Sequence, residues 1–203
     1  MVVALMRYVD RPFAVAVALF LFGSLVGAFF VLMLPSIRGP VIGLLQARLV
    51  TPVEAVSRFG IGALLLLVFL NNTIPAALSF AYPYIIAKVN WTPPLTQKKM
   101  HLLLSCFTGL CAFLVGFFGL GVALSIGWLL GGKTLLLTLL GGAWVHGPIE
   151  LAAVLLCVSE PLRVAKERNQ VDLTIRLRKD LRLLAICLII LLVSAAIEVF
   201  TNA

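Results

Sequence analysis

Residues 12–34 read PFAVAVALFLFGSLVGAFFVLML, a stretch without a single charged side chain. As helix, at about 1.5 Å per residue, it covers about 35 Å, enough to cross the roughly 30 Å hydrocarbon core of a bilayer. Four more apolar runs follow, at about 60–86, 102–130, 134–158 and 183–200. The 203-residue chain is 62% hydrophobic and only 12% charged, with a mean hydropathy of +1.14. A soluble globular domain carries about a quarter charged residues, so this composition belongs to the bilayer. The expected fold is all-α: a polytopic transmembrane helix bundle of about five spans, one integral membrane domain over residues 1–203. Multi-pass residence in the cell membrane follows. The first run reaches Leu34-Pro35 without a small-x-small cleavage pattern and is expected to be retained as a helix.

The formal charge of +8 does not indicate a nucleic-acid partner, because the basic residues lie mainly between apolar runs. There they set topology and meet anionic lipid headgroups. With the N-terminus inside, the inner segments hold Arg7, Arg11, Lys88, Lys98, Lys99 and seven more basic residues between 163 and 182. The outer segments hold Arg38, Arg48, Arg58 and Lys133. Twelve against four predicts a cytoplasmic N-terminus and, for five spans, an outer C-terminus. Cys106, Cys111, Cys157 and Cys187 all fall in apolar runs and form no CxxC pair, so the spacing suggests neither a disulfide nor a thiolate metal site.

The connections have patterns of their own. Val41, Leu44, Leu45 and Leu49 recur at helical spacing and predict an interfacial helix over 36–50. Thr51 is a candidate cap followed by Pro52 and Glu54, so the second long helix is expected to begin near Pro52. NWTPPLTQKKM breaks the chain at Pro93-Pro94, with Trp91 as an interfacial anchor and Thr96 as a cap. Residues 160–182 are the most polar segment and predict a cytoplasmic helical hairpin, either solvated and facing headgroups or presenting a docking surface. Gly23 to Gly27, Gly116, Gly119, Gly121 and Gly127 to Gly131 supply notches for close helix contact, within one chain or between copies.

A few polar groups lie within the spans. His146 and Glu150 are four apart, on one helical face, in AWVHGPIELAAVLLC; Asn71 and Asn72 lie in FLNNTIPAAL. If both helices start at the outer face, Asn71 is about 15 Å deep and His146 about 18 Å deep. A shared depth permits a cluster of Asn71, Asn72, His146 and Glu150, in which His146 shares the Glu150 proton and the amides donate to its oxygens. Such a cluster is either a polar lock between helices or a translocation site. Glu198 is expected at the outer rim, in water or against Arg38, Arg48, Arg58 or a partner. HGPIE is not HExxH, and a zinc site at His146 and Glu150 needs a third ligand from the chain's remaining carboxylates, so neither a metal nor a cofactor is expected. NNTIPAAL and HGPIELAA each set polar residues and Pro ahead of paired alanines, a short likeness compatible with a parallel repeat.

Three stretches carry a family likeness: FLNN at 69–72, HGPIELAA at 146–153 and SAAIEVFTNA at 194–203. The chain resembles the stage II sporulation protein M family, whose pattern falls here on Phe69, Asn71, Asn72, His146, Gly147, Glu150, Leu151, Ala195, Ala196, Ile197, Glu198, Phe200 and Thr201. The Asn-Gly pair that many relatives carry between the first two motifs has no asparagine to match it in 109–132, so no role passes from it. The resemblance implies a membrane scaffold that assembles with peptidoglycan-degrading partners in spore formers. Most relatives belong to organisms that make no spores, so sporulation itself is not implied.

Two functional readings lead. A membrane scaffold or assembly protein would recruit envelope or peptidoglycan-acting partners through the 160–182 hairpin or the 36–50 helix. A permease-like or proton-coupled transport subunit would use the Glu150 cluster and, without a GxxxxGK[ST] motif, depend on a separate ATPase. An intramembrane enzyme is less well supported: no serine has a histidine beside it, and Ser24, Ser79, Ser105, Ser125 and Ser194 read as small packing residues. Membrane lipids and a second copy of the chain complete the expected contacts.

Overall fold

The structure is a computed structural model and describes residues 10–47, 51–88, 97–143, 146–167 and 173–202. These residues form helices and their connections: α1 (Arg11–Met33), α2 (Pro35–Leu45), α3 (Thr51–Ser57), α4 (Ile61–Lys88), α5 (Gln97–Gly116), a π-helical turn (Phe117–Val122), α6 (Ala123–Ala143), α7 (Gly147–Val158), α8 (Glu160–Glu167) and α9 (Leu173–Asn202). Among the described residues four stretches are long and apolar enough to cross a membrane: Arg11–Met33, Ile61–Ile85, His101–Thr138 and Asp180–Thr201. The chain is thus an all-helical, multi-pass membrane bundle. Trp91, Pro93, Pro94 and Thr96 lie outside the described residues, as do Arg48 and Leu49.

α1 starts where Asp10 accepts the Phe13 N–H and Pro12 occupies the first turn, a position where a missing N–H costs nothing. At its other end Arg38, from α2, donates to the carbonyls of Val31 and Leu32 at 2.9 and 2.6 Å. These carbonyls lack partners within their own helix, and a guanidinium at a helix C-terminus also opposes the macrodipole. Arg38 is therefore engaged at the end of α1, and Glu198 finds a different neighbour.

The glycine notches join α1 to α5 and the π-turn. A Cβ at Gly23 or Gly116 would overlap the carbonyl oxygens of Phe113 or Phe20, and one at Gly121 that of Ser24. These backbones touch because no side chain stands between them, which is how small residues drive association in lipid. Gly27 meets Phe117 in the same way, so the expected notch is filled within the chain. Ser24 and Ser125 turn their hydroxyls onto the carbonyls of Phe20 and Gly121, satisfying themselves inside their own helices.

Three expectations about helix limits are corrected. The second long helix begins at Ile61 rather than near Pro52, because Gly60 adopts φ +89° and separates α3 from α4. Thr51 lies within α3, with its hydroxyl donating to the Gln46 carbonyl instead of capping. The expected fourth span at 134–158, which its Gly147-Pro148 pair can interrupt, is divided: α6 runs to Ala143 and α7 starts at Gly147-Pro148, while Gly132, at φ +57°, lies in the gap expected between the third and fourth runs. With twelve residues, α7 measures about 18 Å, too short to cross on its own.

α7 is nonetheless central. Ala153 to Val158 are all buried, with Leu183, Cys187, Ile190 and Leu191 of α9 and Ala76 and Phe80 of α4 in the same core. Helix α8 continues inward among α4, α5 and α1, where Glu160, Arg163 and Val164 are buried. Residues 160–164 of the expected hairpin at 160–182 are therefore part of the bundle. A mixed-charge sequence does not distinguish a water-facing helix from one whose charges pair inside.

Candidate functional site

Two polar clusters sit at opposite ends of the α7–α8 segment. At the α8 end, Arg163 is 3% exposed and donates through Nε and Nη2 to the two carboxylate oxygens of Asp10, at 3.0 and 3.2 Å. Its Nη1 donates to Glu160 Oε2 at 3.1 Å and to the Leu156 carbonyl at 3.3 Å. The forked geometry suits a guanidinium better than an ammonium. Burial pushes the Asp10 carboxyl up, but Arg163 and the Phe13 N–H outweigh it and hold the pKa below the ordinary 3.8. Burial would likewise lower the Arg163 pKa, and the two acids raise it instead. Close by in the fold, Tyr84 at the end of α4 donates to Asp180 at the start of the last membrane-spanning stretch. These residues share the end that the basic-residue count assigns to the cytoplasm.

At the other end His146, the N-cap residue of α7, is 8% exposed. Glu150 lies one turn on, in the first turn of the helix, where the positive end of the macrodipole favours a carboxylate. Ser194 of α9 donates from Oγ to Glu150 Oε2 at 3.0 Å. Glu198, one further turn along α9, brings Oε2 to 3.8 Å from His146 Nε2. One ligating atom from each of His146, Glu150 and Glu198 lies within 4.8 Å of the others. His146 Nδ1 is buried without a hydrogen-bond partner. A half-open cavity of about 190 Å³ adjoins the cluster, lined by His146 and Ser194 and otherwise by Ile149, Ile189, Ile190, Val193 and Ile197.

The expected and observed clusters differ in membership. His146 and Glu150 meet as their spacing predicts. Asn71 and Asn72 do not supply the bond seen at Glu150: Asn71 is exposed on α4 and Asn72 half-buried, while Ser194 takes the donor role. Glu198 faces His146, joining what had been two separate candidates. Sequence reasoning missed Ser194 because a serine among small residues in an apolar run looks like packing. Its one distinguishing signal is its four-residue spacing to Glu198, which puts both on one face of α9.

The arrangement brings together two carboxylates, an imidazole and a hydroxyl at the edge of an apolar cavity. It can hold a proton or a cation. The Ser194 hydroxyl is directed at the Glu150 carboxylate and, at 3.5 Å, at the His146 carbonyl rather than at the imidazole.

Comparison of the chain with protein-family models, with curated proteins and with solved structures gives no match, so the resemblance to the stage II sporulation protein M family rests on the three motifs alone.

Proposed function

We propose that the chain is a membrane scaffold or assembly protein that recruits another membrane protein along α4. The burial of its four long apolar stretches carries this reading. In the most apolar part of each, a third or more of the residues are buried in three of them, but only 6% in Ile61–Ile85. Leu66, Leu70, Ile74 and Leu78 form an exposed stripe at four-residue spacing along α4, with Asn71 beside it. Lipid can cover the aliphatic side chains, but it offers an amide nothing to bond. In helix bundles such amides find a partner helix, a contact worth about 1 kcal/mol. The occupant that fits is a transmembrane helix with a hydrogen-bonding side chain at mid-depth, and the family resemblance favours an envelope protein that acts on peptidoglycan.

Photo-cross-linking in native membranes tests this. A cross-linker at Ile74 should yield a defined adduct, while one at the lipid-exposed Leu25 of α1 should not. Asn71→Leu should lower the Ile74 yield about fivefold, the equivalent of about 1 kcal/mol. Equal, diffuse adducts from both positions would sink the proposal, as would a second copy of this chain as the captured species.

Coupled transport is the second reading, favoured by the three ionisable side chains beside a cavity. A stoichiometric ATPase in the adduct would move the chain to it.

A further inference from the structure

We infer that His146, Glu150 and Glu198 form a binding site for a divalent first-row transition cation of the zinc class, joining the start of α7 to the outer part of α9. The inference does not rest on the scaffold reading. Sequence spacing left this site one ligand short; the fold supplies Glu198 from far along the chain.

Geometry comes first. Three donor atoms no more than 4.8 Å apart leave an ion at their centre at most about 2.8 Å from each. Zinc bonds to nitrogen and carboxylate oxygen at about 2.0–2.2 Å, so each side chain needs to close by well under 1 Å, within the reach of small χ adjustments. The donors stand on two helices packed against each other, α7 and α9. No loop has to fold for the site to form.

Charge comes next. Two carboxylates lie together, both half-buried, and within the cluster only His146 can carry positive charge. A divalent ion balances both acids with the imidazole neutral, the form in which histidine coordinates metals. His146 Nδ1 is buried with no partner, a costly state for a polar atom in the interior. Coordination through Nδ1 gives that atom a partner, whereas coordination through Nε2, the nitrogen 3.8 Å from Glu198 Oε2, does not.

The surroundings set cation identity and access. An imidazole with two carboxylates suits zinc, iron or nickel better than magnesium or calcium, which take oxygen ligands. Ser194 holds Glu150 through a hydrogen bond, the outer contact that orients a ligating carboxylate. The Glu198 side chain is 37% exposed and gives the ion its entry from the aqueous rim. The remaining cavity wall is isoleucine and valine, a poor path for a hydrated ion. The site therefore holds its cation rather than passing it inward, and three protein ligands leave a fourth position open towards the cavity.

The test uses the full chain in detergent, stripped with a chelator and titrated with zinc, with bound metal counted by mass spectrometry and affinity measured at equilibrium. The expected result is one zinc per chain, with no comparable binding of magnesium. Glu198→Gln and His146→Ala should weaken binding at least tenfold, and Ser194→Ala by about tenfold. His146→Cys should retain the ion, because thiolate is also a zinc ligand. Glu54→Gln in α3 is the carboxylate control and should change nothing. Should His146→Ala fail to fold, retention in His146→Cys together with loss in Glu198→Gln decides the matter. No zinc at tenfold excess over protein, or binding that survives Glu198→Gln and His146→Ala unchanged, overturns the inference.

Discussion

Replacing Arg163 with methionine should be the most damaging single change at the inner end of the bundle. The side chains have similar length, so the substitution removes the charge and five donors with little change in shape. Two acids lose their partner, with unequal consequences. The Asp10 side chain is 37% exposed and can rehydrate, so its share of the cost is small. The Glu160 side chain is fully buried and has no such recourse. Removing one partner of a buried ion pair costs about 3–5 kcal/mol, a shift of about a hundredfold to several thousandfold in the folding equilibrium. Reversible unfolding by SDS in mixed micelles, or steric trapping in bicelles, measures it. The decisive comparison is the double variant Arg163→Met with Glu160→Gln, in which no carboxylate is stranded. It should recover about half of the loss, since a neutral amide is far cheaper to bury than a charge. If Arg163→Met costs no more than Asp10→Asn, or if the double variant is simply additive, Glu160 is not held by Arg163 and the reasoning fails.

Other perturbations follow from the same geometry. Gly116→Ala should destabilise the bundle by about 1–3 kcal/mol, because its Cβ would overlap the Phe20 carbonyl; Gly119→Ala, with open space around it, should stay within about 0.5 kcal/mol. Equal costs at the two positions, measured by the same unfolding assay, would show that the α1–α5 contact is not the close one described. The Asp10 link should depend on pH in one direction only. Its pKa is lower folded than the ordinary 3.8, so the unfolded chain binds the proton more readily and the contribution is complete well above pH 4. The stability gap between the native chain and Asp10→Asn should therefore be flat at neutral pH and shrink as pH falls below about 4. A gap that widened on acidification would have the wrong sign.

What could be read from the sequence depended on whether the signal was local. The four long apolar stretches were legible because a run of uncharged residues in lipid has almost no alternative to helix. The break at Gly60 was not, whereas Gly132 falls in the gap expected between the third and fourth runs. Gly60 and Gly132 take positive φ and interrupt the chain, whereas Gly23, Gly27 and Gly116 sit in uninterrupted helix and act as contact points. Glycine in an apolar run serves both purposes, and sequence alone does not say which. His146 with Glu150 was legible from spacing. Ser194 and Glu198 required the register between α7 and α9, which depends on packing, and Asn71 was placed by depth alone, without knowledge of which face of α4 it occupies. The inner cluster was hidden differently. EPLRVAKE carries the pattern of a solvated amphipathic helix, and it is the acid at position 10, far away in the chain, that lets Arg163 be buried.

The distribution of polar contacts explains how a helix as short as α7 holds its place. Six of its twelve residues are buried, but between helices in lipid apolar burial fixes depth and orientation weakly, because lipid tails solvate leucine as well as a neighbouring helix does. Sliding α7 by one turn would exchange one set of aliphatic contacts for another at little cost. It would also part Glu150 from Ser194 at the outer end and Glu160 and Arg163 from Asp10 at the inner end. The second loss takes from the buried Arg163 guanidinium one of the two acids that hold it. The two clusters thus determine register where apolar packing does not. The ion pair supplies most of the energy, and the His146 cluster, with or without a cation, determines which turn of α9 the helix faces.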